Sequence, residues 1–322
     1  MLKYISLLLI SFSAVAQDSY YNWDQEKLDV KHEEDNHIVL NADAIISEGW
    51  SELAQPLFWK KIMRLSPDSC IVNIAKDRRI IAVMSNTDWN KQSDTQKDAY
   101  RDSVRQVYGL TAEDRIFVTT GKNDFYKFDI VYPTIANGIE AFERNNVDPW
   151  YAQAILLIES PGQLKKSRAG AYGPFQLMPA VARAQGLTVT RYHDDRADFD
   201  KSAYGASQLL KKICIPEAKR ILDKHEIPYK ENDLWFRLYV LHVYHAGALN
   251  VDAVTAKIGT KDGKDLIQKM WINTAANFGN NSQNYSQLAL ASQLILHDLI
   301  YERCEYIFDC SEKYSAIQGS KL

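Results

Sequence analysis

From residue 148 to 159 the chain is apolar on almost every face of a helix. Trp150, Tyr151, Ala152, Ala154, Ile155, Leu156, Leu157 and Ile158 follow an Asp148-Pro149 start, and Glu159 closes the run. Asp148 suits an N-cap and Pro149 a first helical position. Pro161-Gly162 stop the helix just behind Glu159. A helix apolar all round is a buried helix, so the pattern predicts a core helix with one carboxylate at its C-terminal end.

Upstream the pattern is mixed. Residues 17–41 are polar and acidic and read as a loosely ordered arm. Residues 42–65 are helical in pattern, with Trp50, Leu53, Leu57 and Phe58 as core candidates. Two β-branched runs, 71–74 and 79–84, predict a hairpin; a polar helix over 93–108 ends at Gly109, and a third strand follows at 115–119. Phe125, Tyr126 and Phe128 come next and read as core rather than as a binding face. Near Tyr132-Pro133 the character changes, and beyond it the chain is almost entirely helical. The spacing predicts helices over 134–144, over 200–213 with Ala203, Ala206, Leu209 and Leu210 inward, and over 234–246 between Asp233 and Gly247. Two more follow, one capped by Asn250 and a last one over 285–301. The predicted class is α+β: a mainly helical domain, residues 133–322, preceded by a small α+β module, residues 17–132, of unassigned role. All the chemistry-bearing motifs lie beyond Tyr132, so the module is expected to fold separately.

Composition narrows the picture. A hydrophobic fraction of 46% with 25% charged residues is ordinary for a globular protein, and a net charge of -3 with dispersed Lys and Arg gives no nucleic-acid footprint. Lys3, the apolar run from Ile5 to Phe12 and Ala14-Val15-Ala16 have the layout of a signal peptide over residues 1–16. The protein is therefore expected to be exported, periplasmic or secreted. No Cys follows the cleavage point, so no lipid anchor is predicted. The four cysteines, Cys70, Cys214, Cys304 and Cys310, could form two bridges in three ways; Cys304 and Cys310, close in the chain, are the expected pair, and Cys70 reads more simply as a small buried thiol.

A carboxylate at the negative end of a helix dipole, among apolar neighbours, is biased toward its protonated form, as a general acid near neutral pH requires. After Glu159 come the glycine-punctuated loop 168–174 and Gln176 inside the apolar run Phe175 to Met178. His242 and His245 sit three apart on one helix, but no H-E-x-x-H or adjacent Cys completes a metal site. No metal or cofactor is expected.

These residues resemble the motifs of the lytic transglycosylases of the lysozyme-like superfamily, of the membrane-bound lytic transglycosylase D type and similar to glycoside hydrolase family 23. Glu159-Ser160 is similar to their Glu-Ser, and residues 173–179 to their Gly-x-x-Gln-hydrophobic-Met-Pro. Residues 195–202 resemble the run that follows, Val243-Tyr244-His245-Ala246-Gly247 the Ala-Tyr-Asn-Ala-Gly segment, and residues 281–285 the Glu-Thr-x-x-Tyr segment. The resemblance spans about residues 136–300. It implies a lysozyme-like fold, peptidoglycan strands as substrate, Glu159 as the catalytic acid, and Ser160, Gln176, Met178, Tyr244, His245 and Tyr285 as groove residues. It departs from the family at His245, where the family has Asn, and at Asn281, where it has Glu. The span from Glu159 to Gln176 is also one residue shorter than usual.

Most glycosidases use two carboxylates, whereas the matched motifs supply only Glu159. Asp194, Asp195 and Asp198 fall in a loop-like run with Arg196 and are expected to cap and pair with it. The resemblance then implies that the muramoyl unit closes on itself into a 1,6-anhydro end. The alternatives are a lysozyme-like hydrolase that lets water attack, and a glycan-binding scaffold on the same fold.

Overall fold

The computed structural model describes residues 22–32, 35–128, 131–159, 166–167 and 169–304. The expected signal peptide, Ser160, Pro161, Gly162, Arg168 and Cys310 lie outside these residues.

A 3-10 turn, Trp23–Glu26, leads into an antiparallel hairpin of β1 (Lys27–His32) and β2 (Asp35–Leu40). The polar stretch is thus not a loose arm. Val30, Val39 and Leu40 are buried, and the hairpin is held by what it lies against. Gln153 of the core helix accepts from Leu40 N at 2.8 Å and donates to Leu40 O at 3.0 Å, pairing with the strand as another strand would.

Residues 42–65 form α1 (Asp43–Ser47), a 3-10 turn at Trp50–Glu52 and α2 (Ala54–Arg64). Trp50 and Phe58 are buried as expected, whereas Leu57 is 46% exposed and Trp59 takes the inward position. The break at Trp50–Glu52 resets the phase, so that Phe58, Trp59, Ile62 and Met63 form the inner face of α2. The expected hairpin is β3 (Ser69–Ile74) against β4 (Ile80–Ser85). After α3 (Asn86–Lys91) and α4 (Asp94–Val107), which opens with a Ser93/Gln96 capping box, β5 (Ile116–Thr120) completes an antiparallel sheet of order β4-β3-β5.

The helical part comprises α5 (Tyr132–Arg144), α6 (Trp150–Glu159), α7 (Pro179–Ala184) and α8 (Phe199–Leu209), which continues through a π turn at Leu210–Cys214 into α9 (Ile215–Lys224). Then follow α10 (Leu234–Ala246), α11 (Ala248–Ile258), α12 (Gly263–Met270) and α13 (Asn280–Cys304). Asn250 does not cap α11: it lies inside the helix, with its amide donating to Ala246 O at 2.8 Å. No helix among the described residues is long and apolar enough to cross a membrane.

Every residue of α6 from Trp150 to Ile158 is buried. Asp148 Oδ1 accepts from Trp150 N at 2.9 Å, the cap read from the sequence, while its other oxygen accepts from Arg237 Nε at 2.7 Å. Arg237 also donates to both Glu26 carboxylate oxygens, at 2.9 and 3.1 Å, which ties the 3-10 turn, the start of α6 and α10 together. Gly138 lets α5 cross α6 closely, because a Cβ there would stand 2.5 Å from Leu156 Cδ1.

One buried apolar cluster includes Val39, Trp50, Phe58 and Ile62 together with Ile155, Leu156, Leu290 and Leu294. The change at Tyr132 is thus a change of secondary structure, and the core runs across it. A helix apolar on every face needs cover on every face, and β2 supplies part of it. Separate folding of residues 17–132 finds no support in this packing. Cys70 and Cys214 are buried free thiols.

Candidate active site

Glu159 ends α6, where the last carbonyls of the helix have no intrahelical partner and the dipole is negative. Burial raises its pKa to about 7, and the Tyr285 hydroxyl beside it works weakly the other way, since a donor favours the charged form. Among the described residues no second carboxylate contributes to that shift. Tyr285 is 2% exposed, with the Glu159 carboxyl as the hydrogen-bonding neighbour of its hydroxyl. Burial, and after it the Glu159 carboxylate, pushes the Tyr285, Tyr244 and Tyr126 hydroxyls above the ordinary phenol range. Three phenols thus lie within electrostatic reach of one acid.

Tyr244 joins this cluster to the next motif by donating to Phe175 O at 2.6 Å. Residues 172–177 fold as a minimal hairpin, with Tyr172 and Leu177 exchanging backbone bonds at 3.2 and 3.1 Å and Gln176 N donating to Gly173 O at 3.1 Å. Gln176 sits at φ 46°, and its side-chain amide donates to Gly173 O at 3.1 Å. Phe175 anchors the turn by stacking on Phe142 at 5.4 Å. Met178 is 40% exposed at the start of α7. His245, exposed at the end of α10, stacks on Tyr285 with ring centroids 4.4 Å apart. Glu159, Gln176, Met178, Tyr244, His245 and Tyr285 are therefore linked in one region, while Ser160 lies outside the described residues.

Arg196 is the strut of the hairpin. It is 1% exposed and donates from Nη1 to Gly170 O at 2.9 Å and Leu177 O at 2.8 Å, and from Nε and Nη2 to the two Asp194 oxygens at 2.9 and 2.7 Å. Gly173, at φ 85°, packs so tightly on this strut that a Cβ would lie 1.8 Å from Arg196 O. Gly173→Ala is expected to cost more than the roughly 1–3 kcal/mol of a left-handed non-glycine residue alone, because backbone must move. A lowered thermal midpoint together with weakened glycan binding would show it, and a variant with wild-type values of both would refute it.

The neighbouring aspartates are committed elsewhere. Arg196 holds the Asp194 carboxyl below the usual range. Asp195 accepts from Lys201 Nζ at 2.6 Å, Thr188 N at 2.6 Å and His193 Nε2 at 2.7 Å, and these bonds keep it ionised well below its ordinary pKa. Asp198 caps α8 by accepting from Lys201 N at 2.9 Å. Pairing and capping were their expected roles. Asn281 is exposed on the first turn of α13.

His242 points away from any solvent-facing chemistry. Trp271 Nε1 donates to Ser286 Oγ at 2.8 Å, which leaves the Ser286 hydroxyl to donate to His242 Nε2 at 2.8 Å. Burial lowers the His242 pKa to about 3, so the ring is a neutral core residue. Tyr126 is the residue that sequence reasoning assigned only to the core. It is 7% exposed and stacks on Phe128 at 5.8 Å, and it also lies within electrostatic reach of Glu159. Nothing local in the sequence marks it, because the approach is made by the tertiary packing of residues from the first third of the chain.

Residues 137–267 match the family model of the transglycosylase SLT domain. The match supports the similarity to lytic transglycosylases of the lysozyme-like superfamily that the motifs carry. The SLT match contains Glu159, Gln176, Met178, Tyr244 and His245; Tyr126 and Tyr285 lie before and after it. No curated protein matches the chain.

Proposed function

We propose that the SLT domain cleaves the bond between N-acetylmuramoyl and N-acetylglucosaminyl units of peptidoglycan, leaving 1,6-anhydromuramoyl ends. The observation that carries this reading is an acid raised to a pKa of about 7 with no carboxylate among the causes of its shift, while Asp194, Asp195 and Asp198 are engaged in pairs or caps. Protonated Glu159 gives its proton to the glycosidic oxygen as the bond to the anomeric carbon breaks. The C6 hydroxyl of the same sugar attacks that carbon, and the Glu159 carboxylate takes the hydroxyl proton, which restores the acid. In this reading Tyr285, beside the acid, and Gln176, Met178, Tyr244, His245 and Ser160 orient the strand. The same reading makes the protein exported, since its substrate lies outside the cytoplasm, in keeping with the segment at residues 1–16.

The alternative chemistries need a second carboxylate: a base about 6.5 to 9.5 Å away in an inverting hydrolase, or a nucleophile at about 5 to 5.5 Å in a retaining one. A digest of sacculi analysed by mass spectrometry tests the point. Anhydro products are expected, lighter than hydrolysed ones by one water and resistant to borohydride. Mainly reducible products would show that water performs the second step, and binding without release of fragments would point to a glycan-binding scaffold.

A further inference from the structure

The turn between β3 and β4 carries Arg78, which sits at φ 56° and is only 6% exposed. Its Nη1 donates to Asn73 Oδ1 at 3.3 Å and its Nη2 to Asn284 Oδ1 at 2.6 Å. The guanidinium lies 5.1, 5.5 and 5.7 Å from the ring centroids of Phe58, Trp59 and Phe117. Both polar partners are neutral amides, and no carboxylate pairs with Arg78 among the described residues. A buried cation without an anion is costly, because desolvation is not offset by attraction.

The same Phe117 ring carries a second guanidinium, that of exposed Arg115 at 5.9 Å, which likewise has no ion pair among the described residues. Arg78, Arg115 and Phe117 line a cavity of about 260 Å³ with Trp271, Asn280 and Gln283 at the start of α13. Two acidic residues share this wall. Asp114 is taken by Lys76 at 2.9 Å and by the Thr111 amide at 2.8 Å, and Glu113 is exposed. The cavity therefore offers two guanidinium groups with no carboxylate partner among the described residues, and charge-assisted hydrogen bonds to such groups are the strong ones.

We propose that this cavity binds a carboxylate of the peptide stem carried by the muramoyl unit, with Arg78 and Arg115 as the anion-binding pair. This rests on the peptidoglycan reading above. The sugars of the strand are neutral, so a cationic cavity matches the stem and not the glycan. Asn284, held by Arg78, directly precedes Tyr285, so the cavity lies along α13 from the acid.

Arg115→Gln is the informative variant, since Arg115 is exposed and no part of the buried clamp around Arg78. On peptide-bearing glycan strands it is expected to raise KM about tenfold, the loss of one hydrogen bond to a charged group, with kcat unchanged. On the same strands stripped of peptides by an amidase, KM should not move. An equal effect on both strands, or none on either, would overturn the proposal. Calorimetric titration with the dipeptide L-alanyl-γ-D-glutamate separates it from the activity itself. Saturable binding by the wild type, weakened in Arg115→Gln, is expected even if neither strand is cleaved. Absence of binding, or binding of inorganic phosphate as tight as that of the dipeptide, would refute a peptide-carboxylate site.

Discussion

Glu159→Gln is expected to fold, to bind glycan strands and to lose on the order of 100- to 10,000-fold in turnover, the usual contribution of a general acid-base group. The amide keeps the shape of the carboxyl group and removes the proton. The effect should fall on kcat, because the protonated acid acts on the leaving oxygen and binding of the strand does not depend on it. Activity within a few-fold of wild type would remove Glu159 from the acid role. The wild-type profile carries a second reading of the same group: with a pKa of about 7, activity should fall as the pH rises above neutrality and the acid is lost.

Stability should show the same ionisation with a definite sign. The folded pKa of Glu159 lies above its ordinary value, so between the two the folded state binds more protons and wild-type stability declines as the pH rises. Above pH 7 the wild type buries a charge that Gln does not. Glu159→Gln is therefore expected to melt at a higher temperature than wild type at pH 8, with the gap closing at pH 5. A gap independent of pH would contradict a buried, titrating Glu159.

A polypeptide beginning near Thr134 is expected to be insoluble or to lack a cooperative melt. Its removal of the first third strips three kinds of contact at once. The hairpin that pairs with Gln153 is lost, together with the Glu26 carboxylate, one of the two that hold buried Arg237, which leaves Asp148 as its remaining ion-pair partner. The inner face of α2 goes too, including Trp59, whose indole donates to Gln287 of α13 at 3.1 Å. Broken buried hydrogen-bond and ion-pair networks and exposed apolar surface are among the few routes to severe destabilisation. Circular dichroism and a thermal melt decide it: a folded, cooperative fragment would show that residues 134–304 hold their own core. Such a fragment would still lack Tyr126 beside the acid.

The sequence by itself determined the elements whose causes are local. The α6 pattern, the Asp148 cap, the β3-β4 hairpin and the Ser93 start of α4 each rest on neighbours within a few residues, and each is found where the pattern put it. Glu159 was legible for the same reason, as a carboxylate forced to one end of an apolar helix. Only the tertiary structure decided the rest. Residues 22–40 are polar enough to read as an arm and become a hairpin because Gln153 supplies the missing strand contacts. Leu57 and Trp59 exchange inner and outer positions because the turn at Trp50–Glu52 resets the helical phase. Tyr126 comes within electrostatic reach of Glu159, 33 residues further along the chain, through packing that no local spacing encodes. Periodicity reports which face of an element is apolar; which elements cover that face, and which side chains meet there, is set by the packing of parts far apart in the chain.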